Sequence, residues 1–317
     1  MRTRPSKQAG IAIITAVAIA ALVAAIAGAM AFRHSLWLRQ VANQLDMTQA
    51  RVVARSAVDF SLLTLLDDAK QNLYDGETDS WRIPISNLPI EQGMADGKIY
   101  DVQGRFNLNN LLETDPAKLA IYENAFKTLL ANAGGSPDLL NALADWLDEG
   151  SNVRNPGGAE DNEYMAMNPP RRAANGPLFD VEELRQVRGF SDELVEKLMP
   201  NVSALPYPPS GPASFVNVNF VSAEVLNALV PQISLSQAEA LVAQAKKKPF
   251  QNIADFYAAL GSQQLTQQLS TSNIFSIKSD YFLTDVEARF GRVKVAYRAM
   301  LTRDNSSSAR LIWLRRR

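Results

Sequence analysis

The side chains best suited to do chemistry are carboxylates crowded into one short stretch. The motif DWLDE at 145–149 is followed by PGGAED at 156–161, then by Glu163, Tyr164 and AAN at 173–175. Gly157 and Gly158 allow tight turns, while Asp148, Glu149, Glu160, Asp161 and Glu163 present hard oxygen donors inside one loop. Such a set, helped by backbone carbonyls, suits Ca²⁺ better than zinc. It lacks the alternating ligand spacing of an EF-hand. A plain solvated acidic loop competes with the metal reading, and Arg154, Arg171 and Arg172 stand close enough in sequence to neutralise the charge instead. An acid pair for glycoside hydrolysis is a third reading, although nothing marks a substrate groove.

Other catalytic chemistry is scarce. The 317-residue chain has no cysteine and one histidine, His34. Disulfides, thiolate metal centres, thiol nucleophiles and histidine triads are therefore excluded. No activated nucleophile is visible, so the chain is not expected to be an enzyme. With 47 % apolar residues it can bury one large or two modest cores. The formal charge of −1, from 32 basic and 33 acidic residues, argues against a basic nucleic-acid binder. That average hides an uneven layout. Arg2, Arg4 and Lys7 precede any acid, and Arg315, Arg316 and Arg317 close the chain; without these six charges the remainder carries −7.

The elements that must position these groups begin with a membrane segment. Residues 11–32 are a run of 22 without charge, ten of them alanine. As a helix this run spans about 30 Å, the thickness of a bilayer's hydrocarbon core. The basic residues before it keep the N-terminus cytoplasmic and send everything after Arg33 across the membrane. Three readings fit the segment: a cleavable secretory signal using Ala27, Gly28 and Ala29, a plain signal anchor, or a short charged leader of prepilin type ending at Gly10. The third best accounts for the residues beyond the segment. No Pro or Gly occurs from His34 to Asp75, and Leu38, Val41, Leu45, Val52, Ala57, Phe60 and Leu63 recur at roughly helical spacing. The pattern predicts one helix over 11–68, about 87 Å long, apolar first and amphipathic after.

Turn residues punctuate 76–97, which reads as a loop. Residues 98–109 alternate like a strand, with Gly104 a bulge or turn. Strand-like runs at 281–290 and 292–303 flank Gly291, and a turn at 305–308 leads into 310–314. These pieces predict an α+β fold: a long N-terminal helix packed on a small antiparallel sheet from both ends of the chain, with a large helical domain inserted between. The expected organisation is a leader over 1–10, a stem over 11–68, an α+β domain from 69–109 and 276–317, and a helical domain over 110–275. The helical domain divides into two sub-modules, about 110–205 and 214–275. The second is similar to helix-hairpin-helix or SAM-like modules, with VNVN at 216–219 and the pairs Pro249, Phe250 and Asp255, Phe256. DNA-binding hairpins bring bare glycine amides to a phosphate, and here Gln232 and Ser234 occupy those places. No nucleic-acid partner is expected; a membrane-anchored periplasmic DNA-uptake receptor is the alternative function.

Taken in order, several motifs resemble the minor pseudopilin K family of the type II secretion system, the general secretion pathway. They are Gly10 ahead of the apolar helix, Thr15, DVQGRFNLNNL at 101–111, ADWLD at 144–148, PGGAED at 156–161 and PPRRAAN at 169–175. PL at 177–178, DV at 180–181, ELR at 183–185, VRGF at 187–190 and VNVN at 216–219 complete the series. The resemblance covers nearly the whole chain. It implies a pilin-like fold and a prepilin peptidase that cuts between Gly10 and Ile11 and methylates the new amine of Ile11. It also implies a single pass through the inner membrane with a periplasmic body. The implied place is the tip of the pseudopilus, nucleating and capping its assembly with minor pseudopilins I and J and other pseudopilus subunits during export of folded proteins across the outer membrane. Counted from Ile11, position five is Thr15, where pilin-like subunits usually carry a glutamate that neutralises the terminal ammonium of the neighbouring subunit already in the fibre. A subunit at the very tip has no predecessor to neutralise. Calcium in the helical domain is implied too, carried onto Asp148, Glu160, Asp161 and Asn175.

Overall fold

The computed structural model describes residues 8–206, 214–304 and 308–317, with side chains from Ile11 onward. Most of the expected leader, residues 1–7, and most of the expected turn at 305–308 lie outside the described residues. Helix α1 runs over Gln8–Gln71, 64 residues without a break, about 96 Å at the usual rise. It overshoots the expected end at Asp68 by one turn, because the first residue unable to continue comfortably is Gly76 and local bonds such as Asn72 N–H to the Asp68 carbonyl extend it. A short 3₁₀ turn, Ser80–Arg82, then buries Trp81, whose ring meets Phe282 edge-on with centroids 5.1 Å apart.

The segment expected to be a loop over 76–97 contains a hairpin. Strand β1 (Ile85–Ile90) pairs antiparallel with β2 (Gly93–Asp101). Pro89 disguised it, yet proline is tolerated because β1 is a sheet edge. The strand expected over 98–109 is in turn cut short. At Val102 the chain leaves the sheet, and Phe106–Asn107 forms a separate two-residue strand, β3. Gly104 makes that exit: the backbone of Phe220 fills the space a Cβ would need.

The helical region comes next, with α2 (Pro116–Asn132), α3 (Leu139–Leu147), α4 (Asp161–Met165), α5 (Asp192–Leu198) and β4 (Val202–Ser203). Strand β5 (Val216–Asn217) opens its second half, followed by α6 (Ala223–Leu229), α7 (Leu235–Lys247), α8 (Ile253–Ala259), α9 (Gln263–Ser272) and β6 (Phe275–Ser276). Helix α9 has a glutamine-rich sequence with only Leu265 and Leu269 as buried anchors. The chain returns to the sheet through β7 (Tyr281–Phe290), β8 (Val293–Asp304) and β9 (Ser308–Arg316). The five-stranded order is β1-β2-β7-β8-β9, antiparallel throughout.

The two halves of the helical region repeat one hydrogen-bonding device. Strand β3 pairs parallel with β4, as β5 does with β6. Each half carries an Asn-x-Asn there: the side-chain oxygen of Asn107 accepts from Asn109 N–H at 3.2 Å, and that of Asn217 from Asn219 N–H at 2.9 Å. The second asparagine then clamps a distant backbone. Asn109 accepts from Leu178 N–H and donates to the carbonyls of Leu178 and Leu205; Asn219 accepts from Phe250 N–H and donates to the carbonyls of Phe250 and Asp75. Buried polar groups so saturated cost little and fix register. Despite the repeat, one continuous core joins the halves, from Phe106 and Phe126 through Val225 and Leu226 to Phe275.

A second core lies between α1 and the sheet. Every other residue of β7 points inward, from Phe282 to Phe290, and meets Ala50, Ala54, Val58 and Leu65 of α1. Small residues let the helix lie close, and Ser61 Oγ reaches Thr284 Oγ1 at 3.0 Å. The helical domain docks at the C-terminal end of α1, where Pro249 fills the space beside Gly76. It is also tied to the sheet edge: Arg315 of β9 pairs with Asp180 and lies over the rings of Phe179 and Trp313, at 4.9 Å and 4.7 Å.

Candidate assembly surface and acidic loop

Apart from Ala57, the apolar residues that marked α1 in sequence do not pack on the sheet. Leu45, Val52, Phe60 and Leu63 are 55–63 % exposed, whereas Ala50, Ala54, Val58 and Leu65 are fully buried. At about 100° per residue, the stripe of Leu45, Val52 and Leu63 lies on the opposite side of the helix from the buried one. The stem thus has two apolar faces, one used by its own sheet and one unpartnered. Beside the free face, α1, the 3₁₀ turn and the β1–β2 hairpin enclose an apolar groove of about 710 Å³, lined by Val53, Ala57, Phe60, Ile83, Leu88 and Ile99. Ile83 is 69 % exposed at its rim. Continuous apolar exposure of this extent marks an interaction surface.

Towards the N-terminus the stem is apolar all round, and among the described residues α1 is the one helix long and apolar enough to cross a membrane. Ile11, on the expected cleavage bond with Gly10, lies in regular helix. The Thr15 hydroxyl is spent inside its own helix, donating to the carbonyls of Ile11 and Ala12 at 3.1 Å and 3.0 Å. It carries no charge to offer a neighbour.

The acidic loop is organised around Asp145, a residue of the DWLDE motif that stands outside the implied ligand set. Asp145 on α3 is fully buried and accepts from the backbone and the guanidinium of Arg154. The same guanidinium pairs with Asp148 at the helix end. Gly158 lies against this pair so closely that a Cβ would overlap Asp145 Oδ2 and the Arg154 backbone. Glu160 and Glu163 form a capping box on α4, yet Glu160 Oε1 is buried with no hydrogen-bond partner. Burial, then the charges of Asp145 and Asp148, raise the Glu160 carboxyl above its ordinary range.

Asp161 is occupied differently, accepting from Ala173 N–H at 3.0 Å, and Asn175 takes a left-handed backbone with φ 48°. No three of the carboxylates in this loop converge; among the described residues the one triad whose oxygens come within 4.8 Å of one another is Asp68, Asp75 and Asp79. Arg171 stacks on Tyr164 rather than pairing with an acid. Tyr164 pins the loop, its ring edge-on to Trp146 at 5.0 Å and its hydroxyl accepting from Arg188 N–H. The buried Glu160 oxygen without a hydrogen-bond partner is a donor that fits a hard cation, while Asp145 and Asp148 are held by Arg154.

Stem, sheet, distal helical domain and exposed second face together define a pilin-like subunit whose stem is long and apolar enough to cross a membrane. The model of the family described as type II secretion system (T2SS), protein K, matches in two parts, residues 104–207 and 216–274. Type II secretion system protein K of Pseudomonas aeruginosa is 31 % identical over 318 residues, covering 96 % of this chain and 92 % of that protein. The protein K of Pectobacterium carotovorum is 28 % identical over 312 residues, covering 93 % of each. A solved structure described as the GspK-GspI-GspJ complex from enterotoxigenic Escherichia coli has the same fold, with a TM-score of 0.75 at 24 % identity, covering 88 % of this chain and 99 % of that one. The chain belongs to the type II secretion system protein K family, and it is a minor pseudopilin of that system.

Proposed function

We propose that this pseudopilin sits at the tip of the pseudopilus, where it nucleates assembly with minor pseudopilins I and J and caps the growing fibre. The unpartnered face of α1 carries this reading. Leu45, Val52 and Leu63 on that face, with the groove beside Phe60, suit the stem helices of pilin-like neighbours. Without a carboxylate at Thr15 the subunit has nothing to offer a predecessor. The helical domain crowds the far end of the stem, where a further subunit would stack. Co-expression of the full chain with I and J in detergent, followed by size exclusion, tests it: a stable ternary complex is expected, and loss of that complex on Val52→Asp with Leu63→Asp. A complex that survives both substitutions refutes the assigned face.

Maturation by a prepilin peptidase between Gly10 and Ile11, with methylation of Ile11, belongs to the same proposal. The matured stem stays anchored in the inner membrane with its body in the periplasm. Gly10→Leu is expected to leave an uncleaved precursor, read by intact mass. Calcium is proposed as a structural ion of the acidic loop. Asp148, Glu160, Asp161 and Asn175, with Asp145, would hold it and gain charge balance for the buried Glu160 oxygen. Removing calcium with a chelator is expected to lower the melting temperature of the full chain by several degrees, about 1–2 kcal/mol at this size. Absence of both the shift and the metal by elemental analysis rejects the ion.

A further inference from the structure

Away from those surfaces, the densest group of titratable side chains lies where stem, linker, sheet and helical domain meet. Asp68 of α1 and Asp75 and Asp79 of the linker bring carboxylate oxygens within 4.8 Å of one another, all three buried. Arg303 of β8, also buried, is the cation among them. Its Nη1 donates to Asp68 Oδ2 and to the Leu65 carbonyl, both at 3.0 Å, and its Nη2 donates to the two Asp75 oxygens at 2.6 Å. The network then crosses between domains. Ser279 N–H donates to Asp75 Oδ2 and its hydroxyl to Asp101, while Asn217 donates to the Ser279 hydroxyl at 2.7 Å and Asn219 to the Asp75 carbonyl at 3.0 Å.

Charge does not balance there. Arg303 bonds Asp68 and Asp75, but Asp79 accepts only from neutral donors, Gly76 N–H at 2.7 Å and the Trp81 indole N–H at 3.2 Å. Of the other charged groups nearby, Arg82 is paired with Glu77, Arg105 feels the charge of Asp101, and Asp280 feels those of Arg303, Asp75, Asp304 and Lys278. The guanidinium already holds the Asp68 and Asp75 oxygens that a metal ion among the three acids would need. A proton is the remaining counter-charge for a third buried carboxylate.

We propose that this junction is a proton-operated lock, closed when Asp79 holds a proton in mildly acidic surroundings and loosened when that proton is lost. Burial above all, then the charges of Asp68 and Asp75, push Asp79 up to about 6, and burial does the same to Asp101 across Ser279. In an opened junction Asp79 returns towards 3.8. Between those two values the closed form holds a proton the open form lacks, so closure weakens as pH rises through about 6. The distance between 3.8 and about 6 sets a ceiling of about 100-fold on the opening equilibrium, and solvent screening near the surface lowers the expected effect to about tenfold.

The Trp81–Asp79 hydrogen bond supplies the probe. The full chain in detergent micelles is titrated from about pH 4.5 to about pH 8 by tryptophan fluorescence, with Trp81→Phe removing the other three tryptophans' signal by difference. A transition centred near pH 6 is expected, and it should vanish in Asp79→Asn, whose amide oxygen still accepts both bonds. Hydrogen exchange over 72–82, corrected for intrinsic rates, should be about threefold faster at about pH 7.5 than at about pH 5, and the difference should shrink in Asp79→Asn, where only the Asp101 contribution is left. No Trp81 transition between about pH 5 and about pH 7 overturns the lock, as does unchanged pH dependence in the variant. Should Asp79→Asn fail to fold, pH-independent exchange in the unmodified chain overturns it equally.

Discussion

Gly158 shows how much of the acidic loop rests on single atoms. Its sequence neighbour Gly157 needs glycine for a left-handed backbone, φ 88°, but Gly158 needs it for space, because a Cβ there would run into Asp145 and the Arg154 backbone. Neither group can retreat: Asp145 is fully buried and Arg154 is tied to it twice. Gly158→Ala is therefore expected to cost about 1–3 kcal/mol, read from urea unfolding of the full chain in detergent. Thr15 is the opposite case. With its hydroxyl bonded to its own helix, Thr15→Ala should change exoprotein secretion less than twofold; a larger loss would give the hydroxyl an intermolecular role. At this scale the sequence revealed the chemistry, since the carboxylates and glycines stand in it openly. It hid Asp145's leading part, which depends on α3 turning that side chain inward.

Among the elements, the stem and the asparagine clamps repay comparison. The long helix was legible because nothing from His34 to Asp75 breaks it. Which of its faces meets the sheet was not legible, since hydrophobicity pointed to Leu45, Val52 and Leu63 while the sheet selects Ala50, Ala54 and Val58. Close helix–sheet approach favours small residues, and larger ones are left for other partners. The clamps stand in the sequence only as the short motifs FNLNN and VNVN; in the fold each asparagine closes a distant loop. Asn109→Ala removes three bonds and leaves the Leu178 and Leu205 backbone groups unsatisfied. A loss of about 3 kcal/mol is expected. The half-buried Asn227, whose one side-chain bond goes to the Ile233 carbonyl, serves as the control, and Asn227→Ala should cost about 1 kcal/mol. The hairpin β1–β2 stayed hidden because Pro89 and the turn residues around it read as loop, which an edge strand can absorb.

For the whole molecule, the buried acids of the domain junction set a pH dependence. Asp101 is pushed up to about 6 by burial, against the bonds from Ser279 and Gly104. Its folded value lies above the unfolded one, so the stability it contributes is complete below about pH 4 and is lost as pH rises through about 6. The unmodified chain is expected to lose about 1–2 kcal/mol more between about pH 5 and about pH 7.5 than Asp101→Asn does, measured as the shift in urea midpoint at each pH. An equal loss in both would place the pH dependence elsewhere. Arg303 cannot cancel this cost because its bonds go to Asp68 and Asp75.

The sequence alone determined the order of parts: a basic N-terminal stretch, a long helix apolar at first and amphipathic after, an acidic helical region, and a sheet assembled from both ends of the chain. Those features are local or compositional, carried by uncharged length, unbroken helical spacing and alternating strands. Tertiary structure decided which side of the stem is free, how Arg154 meets Asp145 and Asp148, and that Asp68 and Asp75 share the guanidinium of Arg303. Such contacts join residues up to 238 positions apart, and a pairing at that separation leaves no periodic trace for a sequence to show.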